Sequence, residues 1–201
     1  LKKIKSKNNL HVVNFDNNSC DEVVEILRYA GIFDKNYFFN KNFYDQSVLY
    51  GTYYYAKKYN YKYMIYAYDD IQFLGKEFVD DCENFLESKP DVDCIRLCEY
   101  RKGDILFNSR YTSKQTNPDA INHWVCHKNN TSITWEKTET LGKNTFHVND
   151  WHYTSRCTMF RVSSFEKFIK QCSELPVLQF FERHVYNVCK DLNNINLKTA
   201  I

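Results

Sequence analysis

The chain has 201 residues, of which 43% are hydrophobic, 26% charged and 17% aromatic, with a formal net charge of +2. That length suits a single domain with an ordinary soluble core. The charge balance excludes a non-specific nucleic-acid binder, which carries a basic stripe, and no run approaches the roughly 20 apolar residues of a membrane-spanning helix.

In chain order, Leu10-His11-Val12-Val13-Asn14-Phe15 reads as a buried strand, and Asp16-Asn17-Asn18-Ser19 as the turn after it. Ser19 is expected to cap a helix, with Glu22 completing a capping box. Val23, Val24, Ile26, Leu27 and Ala30 form its apolar face, and Gly31 stops it. Tyr37-Phe38-Phe39 is a second strand, ending at Asn40-Lys41-Asn42. A helix is predicted from Asp45 to Lys58, with Val48, Leu49, Thr52, Tyr55 and Ala56 inward. A third strand, Tyr63 to Tyr68, runs straight into Asp69-Asp70. Glu77 to Ser88 is a helix with Phe78, Val79, Cys82, Phe85 and Leu86 on one face, and Asp93 to Cys98 is a fourth strand.

This alternation implies an α/β fold with a mostly parallel sheet, flanked by helices and joined by right-handed crossovers. The alternation breaks after residue 100. Residues 101–160 read as irregular loops and shorter strands bearing Trp124, Trp135 and Trp151, and helices near Ser164–Cys172 and Val177–Asp191 close the chain. The start, Leu1-Lys2-Lys3-Ile4-Lys5, has no apolar core of a signal peptide. The eight Cys form no Cys-x-x-Cys pair, and several sit in apolar runs such as Cys94-Ile95-Arg96-Leu97-Cys98. They read as reduced, mostly core thiols of a cytoplasmic protein, in a host cytoplasm if the chain is viral.

Ligands of open α/β sheets bind at the carboxyl ends of strands. Two acidic clusters are expected there, Asp16-Asn17-Asn18-Ser19 and Asp69-Asp70. Adjacent carboxylates repel each other and are tolerated when a cation or a set of donors neutralises them. Their hard oxygens suit Mn²⁺ or Mg²⁺. The bland alternative is that Asp69-Asp70 starts a loop and caps the next helix. A competing metal site would use His123, Cys126 and His127 with Cys157 or Cys94 as a structural Zn²⁺ staple, although a second standard half is missing. Asn17-Asn18-Ser19 and Asn129-Asn130-Thr131 match the glycosylation acceptor pattern, without a secretion signal beside them.

From Leu10 to Asp91 the chain resembles the nucleotide-binding half of family-2-type glycosyltransferases with the GT-A fold. Four motifs carry the likeness, in order. Val12-Val13-Asn14-Phe15-Asp16-Asn17-Asn18-Ser19 matches a strand entering an Asp-Asn-x-Ser turn before a helix. Asn40-Lys41-Asn42 and the helix through Ala56 match an Asn-rich turn and a helix ending in Ala. Met64-Ile65-Tyr66-Ala67-Tyr68-Asp69-Asp70-Ile71-Gln72-Phe73 matches an apolar strand entering an Asp-rich metal motif. Phe85-Leu86-Glu87-Ser88-Lys89-Pro90-Asp91-Val92 matches a helix ending near Asn-Pro-Asp-Val.

The resemblance implies one GT-A (Rossmann-like) domain, with residues 1–100 holding the nucleotide-sugar and the irregular half, 101–201, the acceptor. It implies inverting, metal-dependent transfer from a nucleoside diphosphate-sugar, uridine-based by preference, to a hydroxyl of a glycan or glycoprotein. The domain can stand alone or belong to a larger multidomain transferase. Asp16, Asn17, Asn42, Asp69 and Asp70 are the matched nucleotide-sugar positions: Asp16 for base or ribose, Asp69 for ribose or metal, Asp70 as direct metal ligand. An inverting transfer needs a general base. Glu182, in Phe180-Phe181-Glu182-Arg183-His184, fits first and Asp150 second. Trp151 would stack on an acceptor sugar with His152 beside it, and His184 would be a further metal ligand. The bland readings are solvated surface acids, a core Trp and structural His side chains. The chain departs from the family in lacking its first strand, in carrying Tyr44 at the family's Gly, and in carrying Tyr68 at a frequent first Asp. Two other classes remain open: a sugar-nucleotide or carbohydrate-binding module without turnover, and a nucleotidylyltransferase. The chain has only five Gly and no Gly-rich phosphate loop, which weighs against the last.

Overall fold

A computed structural model of the chain describes residues 4, 6–68, 78–97, 135–142, 144–149, 157–172 and 199–200. The fold is mixed α/β. Strand β1 (Val13–Asp16) leads through helix α1 (Asp21–Tyr29) to β2 (Lys35–Phe38), and the two strands pair in parallel with Val13 opposite Lys35 and Asp16 opposite Phe38. This is the crossover expected from the sequence. Gly31, at φ +58°, stops α1 in the left-handed conformation that a residue without Cβ adopts at least cost.

The expected capping box at Ser19 is corrected. Cys20 is the N-cap, and no side chain caps α1. The Ser19 amide instead donates to Asp16 Oδ1 at 3.1 Å, so the turn serves the strand-end acid before it serves the helix. Glu22 is satisfied by its own backbone amide and by Cys20, which hold its carboxyl below the ordinary value.

Helix α2 (Asp45–Lys58) has the limits read from the sequence. It is followed by β3 (Tyr63–Tyr66), α3 (Phe78–Ser88) and β4 (Cys94–Arg96). Beyond them come β5 (Trp135–Leu141), β6 (Asn144–Asn149), β7 (Thr158–Arg161), α4 (Val162–Cys172) and β8 (Thr199–Ala200). The second sheet has six strands in the order β3-β7-β4-β8-β6-β5. Here the expectation of a mostly parallel sheet is corrected. β7 inserts antiparallel between β3 and β4, and β5, β6 and β8 extend the sheet with one parallel pair, β4 with β8. The cause lies beyond residue 130, where the shorter strands expected there, together with β8, return into the sheet.

Alternating side chains of this sheet feed two cores, as the period of two requires. On one face Met64, Tyr66, Cys94 and Phe160 meet Leu49, Tyr53 and Ala56 of α2 and Phe165 and Ile169 of α4. On the other Ile95 and Met159 meet Cys82, Phe85 and Leu86 of α3 and Phe146 and Val148 of β6, with the Phe85 and Phe146 rings stacked at 4.2 Å. The α3 positions are those expected to face inward. In α2, Tyr53 takes the core place and Tyr55 lies half-buried among Tyr37, Tyr59 and Tyr61. α2 also covers β1, and a Cβ on Gly51 would come within 2.6 Å of the Phe15 ring. Among the described residues no helix is long and apolar enough to cross a membrane. The expected helix Val177–Asp191 lies outside the described residues.

Candidate functional site

Strand β1 delivers Asp16 to its carboxyl end, 5% exposed. A carboxylate this buried needs donors. It receives the Ser19 amide on Oδ1, while its backbone carbonyl accepts the Phe39 amide at 3.1 Å and extends the ladder to β2. Asn18, at φ +70°, turns the chain so that Ser19 can reach back. Asn tolerates that conformation better than most residues.

Asn17 points the other way and ties β1 to the start of α2. Its Oδ1 accepts the Phe43 amide at 2.7 Å, and its Nδ2 donates to Asn42 Oδ1 at 2.7 Å and to the Tyr44 carbonyl at 3.2 Å. Asn42 Oδ1 also accepts the Tyr44 amide at 2.7 Å. The neighbours Asp16 and Asn17 are thus joined in one loop cluster with Asn42, 25 positions further along the sequence. The amide count limits what two of them can do for a ligand. Both Nδ2 hydrogens of Asn17 are used internally, which leaves one lone pair on its Oδ1. Asn17 is a positioning residue here. The exposed Asn42 has no partner for its Nδ2 group among the described residues.

The residue missed by sequence reasoning is Tyr44. It is the N-cap of α2, at φ +53° and ψ −143°, a region that glycine alone adopts without strain. The signal was present in the sequence: Tyr44 stands where the resembling family has Gly. The backbone takes a conformation that suits glycine, yet the residue is a tyrosine. Ser47, 8% exposed, steadies the turn by donating from its amide and its Oγ to the Tyr44 carbonyl, at 3.3 and 2.9 Å.

Strand β3 leads toward the second expected acid cluster. Tyr68 packs half-buried at the rim of the α2-side core, its ring edge-on to Tyr66 at 6.3 Å. Asp69 and Asp70 follow it in sequence and lie outside the described residues. So do Asp150, Trp151, His152, Glu182 and His184, and His123, Cys126 and His127 of the competing zinc reading. Among the described residues no group of three or more His, Cys, Asp or Glu is arranged to hold a metal. Cys94 and Cys157, the other two candidates for zinc, are buried thiols. Cys82 is buried as well, and burial pushes its thiol up to about 12, out of the range of a neutral-pH nucleophile. No protein-family model, curated protein or solved structure matches the chain.

Proposed function

We propose that the protein is a metal-dependent glycosyltransferase of GT-A type, moving a sugar from a nucleoside diphosphate-sugar to a hydroxyl of a glycan or glycoprotein. The observation that carries this reading is Asp16. It is a buried carboxylate at a strand's carboxyl end, joined through Asn17 to the Asn42 turn, and these are three of the positions for which the resemblance implies nucleotide contact. Layered helices on both faces of the β3-β7-β4 sheet also agree with such a fold.

In this reading residues 1–100 bind the donor and 101–201 the acceptor. Asp16 accepts hydrogen bonds from the ribose or base, and Asn42 Nδ2 offers a donor beside it. Asp70, with Asp69 and His184, would hold Mn²⁺ or Mg²⁺, a fit that rests on the hard oxygen donors of the two acids. An ion held there would supply positive charge to offset that developing on the leaving diphosphate. Glu182, or Asp150 in its place, takes the acceptor proton, and Trp151 and His152 orient the acceptor.

The test is turnover of a panel of nucleotide-sugars with Mn²⁺ by the full chain, read as released nucleoside diphosphate. Asp70→Ala is expected to lose donor binding, and Glu182→Ala to lose turnover with donor binding kept. Metal-independent binding without turnover in any condition would make the protein a binding module instead. Release of pyrophosphate would make it a nucleotidylyltransferase.

A further inference from the structure

We propose that Tyr44 is the ring on which the nucleobase of the donor stacks, a nucleotide-binding role that rests on the nucleotide-sugar reading above. Its backbone, at φ +53° and ψ −143°, is in a conformation that side chains rarely adopt. Four hydrogen bonds hold it there. The Tyr44 amide donates to Asn42 Oδ1 at 2.7 Å, and the Tyr44 carbonyl accepts from Asn17 Nδ2 at 3.2 Å, Ser47 Oγ at 2.9 Å and the Ser47 amide at 3.3 Å. All four are made to or from the Tyr44 backbone, so a glycine would keep every one of them without the strain.

The side chain is only partly covered by the fold. The residue is 41% exposed and has no ring partner among the described residues. Its neighbours differ: Phe43 meets Phe39 edge-on at 5.5 Å, and Lys41 Nζ covers the Phe43 ring at 4.7 Å. A bulky, exposed aromatic in a strained position is better explained by a ligand than by the fold. Asn17 ties the Tyr44 backbone to the strand end that carries Asp16, the acid that the reading above assigns to the ribose or base. A flat phenol offers a π-face to a flat heterocycle and little to a phosphate, and Tyr gives that area with few rotatable bonds. The ligand class is therefore the base of a nucleoside diphosphate.

The experiment titrates the full chain, in Mn²⁺, with UDP, GDP and ADP and separately with pyrophosphate, for wild type, Tyr44→Gly and Tyr44→Phe. Thermal midpoints are measured alongside. Tyr44→Gly is expected to melt higher, since strain is relieved, yet to bind the preferred nucleotide about tenfold more weakly, the scale of one lost base-aromatic stack. Its pyrophosphate affinity stays at the wild-type value, and Tyr44→Phe binds as wild type does. Unchanged nucleotide affinity in Tyr44→Gly overturns the inference, and so does equal weakening for nucleotide and pyrophosphate together with a lower midpoint, which marks a structural role. If wild type binds no nucleotide tighter than pyrophosphate, there is no base contact and the inference fails while diphosphate binding stands. If wild type binds neither, the nucleotide-sugar reading itself fails and takes the inference with it.

Discussion

Gly51 sits in the middle of α2, where glycine disfavours a helix by about 1 kcal/mol relative to alanine. It is kept because the Phe15 ring occupies the space of a side chain. Gly51→Ala should therefore destabilise the protein by about 1–3 kcal/mol despite better helix propensity, since overpacking outweighs propensity. Denaturant unfolding checks this, and Phe15→Leu in the same chain should recover most of the loss. Asn17→Ala should cost about 1–3 kcal/mol, because it leaves the part-buried Phe43 amide without its acceptor. The same variant would remove one of the four hydrogen bonds that hold the Tyr44 backbone. At this scale the sequence was legible in part. The Asp-Asn-x-Ser turn and the Asn turn could be marked, yet nothing in their spacing says that Asn17 spends its amide on Asn42 and Tyr44. Ser19 shows the same limit. It looks like a helix cap, yet Cys20 takes the N-cap position and the Ser19 amide donates to the buried Asp16.

Among the elements, α3 has no basic residue in its last turn to answer its exposed carbonyls. Arg161, arriving from β7, fills that role by donating to the carbonyls of Leu86, Lys89 (3.0 Å) and Val92 (2.9 Å). Arg161→Lys should lose about 2–3 kcal/mol of stability, because one ammonium cannot reproduce the planar fork. Thermal unfolding measures it. Near the same helix end, Glu87 accepts from Tyr63 Oη and Lys62 Nζ, the Lys62 bond being the larger cause holding its carboxyl below the ordinary 4.5. A depressed carboxyl contributes stability above the ordinary value, and that stability is lost as pH falls through the folded value. The thermal midpoint should thus decline more steeply in acid for wild type than for Glu87→Gln. The limits of α2 and the inward face of α3 were readable because a period of 3.6 is local information. The Arg161 contacts were not, because they join residues about 70 positions apart.

Over the whole molecule, the parallel β1–β2 unit followed from the strand-helix-strand alternation, whereas the order β3-β7-β4 did not. β7 is buried along most of its length and shows no alternation, so the sequence offers no mark that it separates β3 from β4. The candidate site divides in the same way. Asp16, Asn17 and Asn42 converge, and Asp69 and Asp70 bear the metal by proposal. The measurement closest to that central claim is calorimetric titration of UDP into the full chain with Mn²⁺, with the ion chelated, and with Asp70→Ala. The account predicts saturable binding with the ion, weakened at least about tenfold both by chelation and by the substitution, a loss of 1.4 kcal/mol or more. Equal affinity in all three would contradict it.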